Sequence, residues 1–196
     1  MVYLEEIKIK KNYRNLKKNS IIKCNSINLI VGEQGCGKST LLNLLNEHSD
    51  KLKITLTETT KKIGVSTFYF DSEKMNPRIN DLDTYSNPNG ISKGIGIGAA
   101  LSSRFKSHGE VLKQFTVNRI NQAKDCILFL DEPESALSLK NQYLLAKEII
   151  KTANENNVQF FISTHCLPLI ESIEEVYSLE HNKWLASTEF INLSKI

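Results

Sequence analysis

The residues able to do chemistry fall in three short segments. The first, Gly32-Glu33-Gln34-Gly35-Cys36-Gly37-Lys38-Ser39-Thr40, fits the pattern G-x-x-x-x-G-K-[ST]. Its glycines let backbone N–H groups curl inward around phosphate oxygens, and a helix starting there adds a favourable dipole for anionic charge. Lys38 then offers a point charge to the β- and γ-phosphates, and the Ser39 hydroxyl a ligand for Mg²⁺. The second segment, Ile127-Leu128-Phe129-Leu130-Asp131-Glu132, is an apolar run ending in two carboxylates. Ligands of open parallel sheets gather at the C-terminal ends of the strands. Asp131 is therefore placed for the Mg²⁺ shell, and Glu132 for polarising a water that attacks the γ-phosphate. The third, Ser163-Thr164-His165, closes another apolar run. His165 suits a γ-phosphate sensor there, while the same position also fits a plain surface or cap histidine. Cys36, close to a helix N-terminus, is expected to favour its thiolate. Gly94-Ile95-Gly96-Ile97-Gly98 misses the G-x-G-x-x-G spacing and reads as a hinge.

Alternating strands and helices must position these groups. Residues 27–31 (INLIV), 126–130 (CILFL) and 158–163 (VQFFIS) are continuous apolar runs of the kind buried in parallel sheets. Further strands are expected over 3–10, 53–57, 64–70, 175–179 and 184–191. Helices are expected over 38–48, 108–123 and from 139 onward, where apolar residues at 139, 143, 146, 150 and 153 have helix spacing. The order predicts an α/β fold with a mainly parallel central sheet. Residues 72–98 are polar, with several Asn and Gly, and read as an insert without much core of its own. No repeat or heptad array is present.

Taken in order, the phosphate loop, Ser107-His108-Gly109-Glu110, LDEPE, Ser135-Ala136-Leu137-Ser138 and STH resemble the motif set of the ABC-type ATPases. The resemblance implies a single P-loop NTPase domain over 1–196, with an antiparallel N-terminal β-subdomain and a reduced helical insert at 72–106. It makes Ser107 to Glu110 a variant signature motif acting in trans, Ser135 to Ser138 the D-loop and His165 the switch histidine. Tyr13-Arg14-Asn15-Leu16 before INLIVGEQGCGKST is similar to the opening of RecF-, SMC- and break-repair-type heads, which implies that Arg14 approaches the nucleotide. Small bacterial and phage ATPases with SHGE and LDEPE motifs are more similar still. The family's Gln after the strand near 70 is missing, and Glu73 is the expected substitute on Mg²⁺.

Composition bounds the remainder. A chain of 196 residues, 40% hydrophobic and 24% charged, is a globular domain of ordinary size. It has no apolar run long enough for a membrane span and no secretory N-terminus. Cysteines 24, 36, 126 and 166 match no zinc spacing and are expected as reduced thiols in a cytoplasm. Residues 1–27 hold seven bases and two acids, while the net charge of the whole is only +3. That basic segment fits either contact with nucleic acid or a solvated, lysine-rich strand pair. The expected activity is ATP hydrolysis with Mg²⁺ in an ATP-sandwiched homodimer, a switch for a partner protein. A DNA-associated head is the alternative. A transporter ATPase subunit is disfavoured by the missing Gln and variant signature, and a small-molecule kinase leaves DEPE, SALS and STH unexplained.

Overall fold

The computed structural model describes residues 2–47, 56–57, 65–71 and 116–195. Two sheets carry the fold. A three-stranded antiparallel sheet has the order β2-β1-β4, from β1 (Glu6–Ile9), β2 (Ile21–Lys23) and β4 (Leu56–Thr57). A six-stranded sheet has the order β5-β6-β7-β3-β8-β9. It comprises β3 (Ile27–Val31), β5 (Ser66–Asp71), β6 (Cys126–Asp131), β7 (Gln159–Ser163), β8 (Glu175–Ser178) and β9 (Lys183–Ala186). Its first five strands are parallel and β9 closes the edge antiparallel to β8. Among the described residues the helices are α1 (Lys38–Glu47), α2 (116–122), α3 (Leu139–Glu155), α4 (Leu167–Glu171) and α5 (Ser187–Ser194).

The period of two along each strand divides the continuous apolar runs between two cores. On one face Leu29, Val31, Leu128, Leu130, Phe160 and Ile162 pack with Ile120 of α2 and with Leu145, Ala146, Ile149 and Ala153 of α3. On the other, Ile30, Ile127, Phe129 and Phe161 pack under Leu41, Leu42, Leu44 and Leu45 of α1 and the apolar side of the antiparallel sheet, Ile7, Ile9 and Ile22. The sheet is thus covered on both sides, and its strand order brings β5, β6, β7 and β3 side by side with their C-terminal ends on one edge. Register sets Asp131 opposite Asp71 on one neighbour and Ser163 on the other.

One expectation is corrected. The strand expected over 184–191 is β9 followed by α5, because β9 runs out of partner where Ala186 meets Glu175 at the start of β8. The helix expected from 139 is α3; its buried face is Leu145, Ala146, Ile149, Thr152 and Ala153, while Leu139 and Tyr143 are exposed. The first turns of α3 pack on α4 instead, where the Tyr143 hydroxyl donates to Glu171 Oε2 at 2.8 Å. The hinge at Gly94 to Gly98 and the insert over 72–106 lie outside the described residues, as does most of the strand expected over 53–57.

Candidate active site

The loop between β3 and α1 is shaped by three glycines at positive φ, Gly32 at 143°, Gly35 at 79° and Gly37 at 114°. A side chain at Gly37 would be strained there and would meet the Arg14 side chain at 3.7 Å. Lys38, 5% exposed, turns back over this loop and donates to the carbonyls of Gly32 and Glu33, each at 3.0 Å. Arg14, itself at φ 50°, donates from Nη1 to the Gly35 carbonyl at 3.2 Å, and the Asn15 N–H reaches the Cys36 carbonyl at 3.4 Å. The arginine at the head of the β1–β2 loop is therefore part of the loop's wall. The Glu33 N–H donates to Glu180 Oε1 at 2.6 Å, so the turn after β8 holds the loop from its other side. Gln34 is exposed, Thr40 half-buried in α1, and Cys36 buried at 6% with its side chain in the core. That burial opposes the accessible, reactive thiol expected from sequence.

Asp131, at the end of β6, gathers hydroxyls. Its Oδ1 accepts from Ser39 Oγ at 2.9 Å and from Ser163 Oγ, and its Oδ2 from Tyr69 Oη at 2.9 Å. Burial first and the Asp131 charge second hold the Tyr69 phenol far above its ordinary pKa, so it remains a donor. The carboxylate and the Ser39 hydroxyl offer hard oxygen donors side by side, and Mg²⁺ is commonly held by one or two carboxylates together with substrate phosphates and water. The residues fit that ion. Among the described residues no group of three or more His, Cys, Asp or Glu forms a metal site by itself.

Glu132 follows at φ 46°, a left-handed conformation costly for a side-chain-bearing residue. Its N–H donates to the Ser163 carbonyl at 3.1 Å and to Ser163 Oγ at 3.2 Å, which leaves the carboxylate free to face outward. Its Oε1 lies 3.8 Å from His165 Nε2, and both side chains are 44% exposed. Burial, then the Lys38 charge, lowers the His165 pKa against the pull of Glu132 and Glu180. Beyond Pro133 the chain turns tightly: the Ser135 N–H bonds the Glu132 carbonyl and the Leu137 N–H the Glu134 carbonyl, both at 3.0 Å. Ala136 sits at φ 61°, Leu137 is buried, and Ser138 precedes α3 in an extended conformation without a side-chain cap bond.

Glycine loop, Asp131, Glu132, His165 and Arg14 thus converge on one sheet edge. Glu73, Ser107, His108, Gly109 and Glu110 lie outside the described residues. Sequence reading missed the contacts of Tyr69, Ser163, Glu134 and Glu180. Ser163 and Tyr69 become legible only once β5, β6 and β7 are known to be neighbours.

This is the α/β P-loop fold of the ABC-type ATPases, with a mostly parallel sheet and a small antiparallel one. The sequence pattern of the AAA ATPase domain family AAA_15 matches residues 92–170. The chain is 28% identical over 153 residues to the molybdate import ATP-binding protein MolC of Haemophilus influenzae, a match covering 69% of this chain and 60% of that protein. It spans about three fifths of that relative's length. Among solved structures, an ATP-binding cassette of an ABC transporter superposes with a TM-score of 0.60 at 16% identity, covering 98% of this chain and 95% of the other. A cassette solved as a dimer in a post-hydrolysis state bound to ADP and Pi gives 0.56 at 16%, covering 94% and 97%. A putative metal-chelate type ABC transporter in an inward-facing conformation gives 0.55 at 20%, covering 93% and 83%.

Proposed function

We propose that this chain binds ATP with Mg²⁺ and hydrolyses it to ADP and phosphate in a homodimer that sandwiches the nucleotide, switching a partner protein. The observation that carries the reading is the 2.9 Å contact of Ser39 Oγ with Asp131 Oδ1 across 92 positions of sequence, at the edge where Lys38, Glu132 and His165 also stand. ATP phosphates offer Lys38 charged acceptors in place of the two loop carbonyls, and the loop N–H groups and α1 dipole receive the remaining charge. Ser39 and Asp131 hold Mg²⁺, which when bound neutralises charge developing on the β- and γ-oxygens. Glu132 Oε1 takes the proton from the attacking water. His165, kept neutral by its lowered pKa, donates one N–H toward the γ-phosphate. Arg14 approaches the phosphates from the loop wall. In the dimer, Ser107 to Glu110 of a second copy cover the open side of the γ-phosphate, and Ser135 to Ser138 line the joint. ATP then holds the copies together and hydrolysis releases them. The dimeric cassette with ADP and Pi supports this arrangement.

Lys38→Ala tests the site. Titration with a fluorescent ATP analogue is expected to show affinity at least about 100-fold weaker than the parent. Parental affinity in a folded variant refutes the assignment.

Two other readings rest on particular observations. The solved cassettes of ABC transporters favour a transporter subunit, whose partner would be a membrane protein recovered from detergent extracts. The loop over 10–20 favours a DNA-linked head: it has five exposed bases, Lys10, Lys11, Arg14, Lys17 and Lys18, and no acid. In that case DNA stimulates ATP turnover, and the stimulation falls steeply with salt.

A further inference from the structure

Glu134 is a carboxylate for which the proposed chemistry has no use, yet it is as deeply buried as Asp131. Its side chain leaves only 8% of the residue exposed. Oε1 accepts two hydrogen bonds, from Thr164 Oγ1 at 2.5 Å and from the backbone N–H of His165 at 3.2 Å. Thr164, fully buried, also accepts the Cys166 N–H on its hydroxyl at 2.9 Å. The turn from 164 to 166 is thus suspended from one oxygen. Oε2 is buried and, among the described residues, has no hydrogen-bond partner. At its own backbone, Glu134 is the pivot of the turn over 132–137, accepting the Leu137 N–H on its carbonyl.

A buried carboxylate is costly unless hydrogen bonds compensate it, and here, besides its own backbone N–H, the compensating donors are Thr164 and the His165 N–H, both on the segment carrying His165. Neither backbone segment could shift without the other unless that oxygen lost its donors.

We propose that Glu134 is a positioning residue: its carboxylate fixes the backbone of His165 opposite Glu132 and ties that position to the Ser135–Ser138 turn. This rests on the reading of His165 as the group that meets the γ-phosphate. The tie gives a direct mechanical route from the turn that lines the dimer joint to the histidine inside the site. A second copy that displaces residues 135–138 pulls on Oε1, and through it on His165.

The test compares Glu134→Gln with Glu134→Ala. Gln keeps an acceptor at Oε1 but buries an NH₂ where Oε2 stands, so it melts at a lower temperature. It is nevertheless expected to keep kcat within about threefold of the parent, since His165 remains in place. Ala removes the acceptor and is expected to lower kcat about 100-fold with KM little changed, the scale of a small misplacement of a reacting group. A purely structural role would instead make kcat follow stability, and the Gln variant would lose both.

A second readout needs no hydrolysis. The His165 imidazole is followed by NMR titration, with His165→Gln as the assignment control. Lys38, Glu132 and Glu180 face the ring in every variant. Burial and the Lys38 charge lower the parent's His165 pKa from its ordinary value of 6.5, and Glu134→Gln is expected to show the same lowered titration. In Glu134→Ala the pKa is expected to rise toward that value as the ring moves into water. Loss of a neighbouring negative charge would by itself lower it, so a rise reports displacement. A folded Glu134→Ala with parental kcat, or with an unshifted His165 titration, overturns the proposal. If Glu134→Ala does not fold, Thr164→Val removes one donor and must show the same upward shift; an unshifted ring overturns the proposal there too. If the parent does not hydrolyse ATP, the functional reading fails while the titration still decides the positioning role.

Discussion

Replacing Glu132 by Gln separates chemistry from fold at this site. The Glu132 carboxylate Oε1 lies 3.8 Å from His165 Nε2, and both side chains are 44% exposed. An exposed pair of this kind contributes at most about 1 kcal/mol, and the lowered His165 pKa leaves the ring uncharged at neutral pH. The unusual backbone at Glu132 is held by its N–H on Ser163, which Gln keeps. Stability is therefore expected to change by no more than ~0.5 kcal/mol. The amide cannot accept a proton from water, and loss of a general base costs about 10²–10⁴ in rate. That is roughly 2.7–5.5 kcal/mol on the barrier. Lys38, Ser39 and Asp131 are untouched, so ATP binding persists while release is lost. Phosphate release at saturating ATP and Mg²⁺ measures the first effect. Light scattering on a sizing column measures the second, as a species of about twice 22.2 kDa with ATP that is absent with ADP. Turnover within tenfold of the parent would remove Glu132 as the base. A monomer at full nucleotide occupancy would refute the sandwich.

Other outcomes follow from the same geometry. Glu180→Gln keeps the acceptor for the Glu33 N–H but removes a negative charge beside the phosphate loop. Calorimetry with a non-hydrolysable ATP analogue should find affinity about fivefold tighter, ~1 kcal/mol. The lowered pKa of His165 means that the unfolded chain takes up a proton before the folded one does as pH falls. Stability is thus unaffected above the ordinary histidine range and lost on acidification through it. The drop in melting temperature from pH 7.5 to 5.5 should be smaller in His165→Gln, and an equal drop contradicts the shift. All four cysteines are free and buried, with burial pushing Cys24 to about 12 and Cys166 to about 11. A thiol reagent should label almost none in the native protein within minutes and four in denaturant; rapid native labelling of Cys36 would restore the reactive-thiol reading.

The glycine loop, the buried strands and the Asp131-Glu132 pair were legible because each is a local pattern: fixed spacing, a continuous apolar run, charge at its end. Arg14 came from resemblance, and the structure sets it on the Gly35 carbonyl. What sequence could not supply was adjacency. Tyr69 meets Asp131 over 62 positions and Ser163 over 32, contacts created by the order β5-β6-β7. The apolar spacing over 139–153 revealed the helix but not its buried face, because Leu139 and Tyr143 continue that spacing past the point where the helix covers the sheet. The strand expected through 191 failed for a related reason: strand length is set by the partner, and β8 has four residues to offer.

Gln159 opens β7 fully buried, and its amide is consumed entirely by the start of the chain. Oε1 accepts the N–H groups of Tyr3 and Leu4 at 2.9 and 2.8 Å, and Nε2 donates to the carbonyls of Leu4 and Asn25, both at 2.9 Å. These contacts span up to 156 positions. On a ribosome adding about 5–20 residues per second, the first residues emerge roughly ten seconds or more before the side chain that receives them. During that interval Tyr3 and Leu4 have no seat, and the segment ahead of β1 is held only by what the local pairing of β1 with β2 provides. Synthesis order thus imposes a vulnerable period on the residues around Tyr3 and Leu4, in which a nascent-chain protease or chaperone meets their backbone unbonded, and which ends when Gln159 clears the exit tunnel.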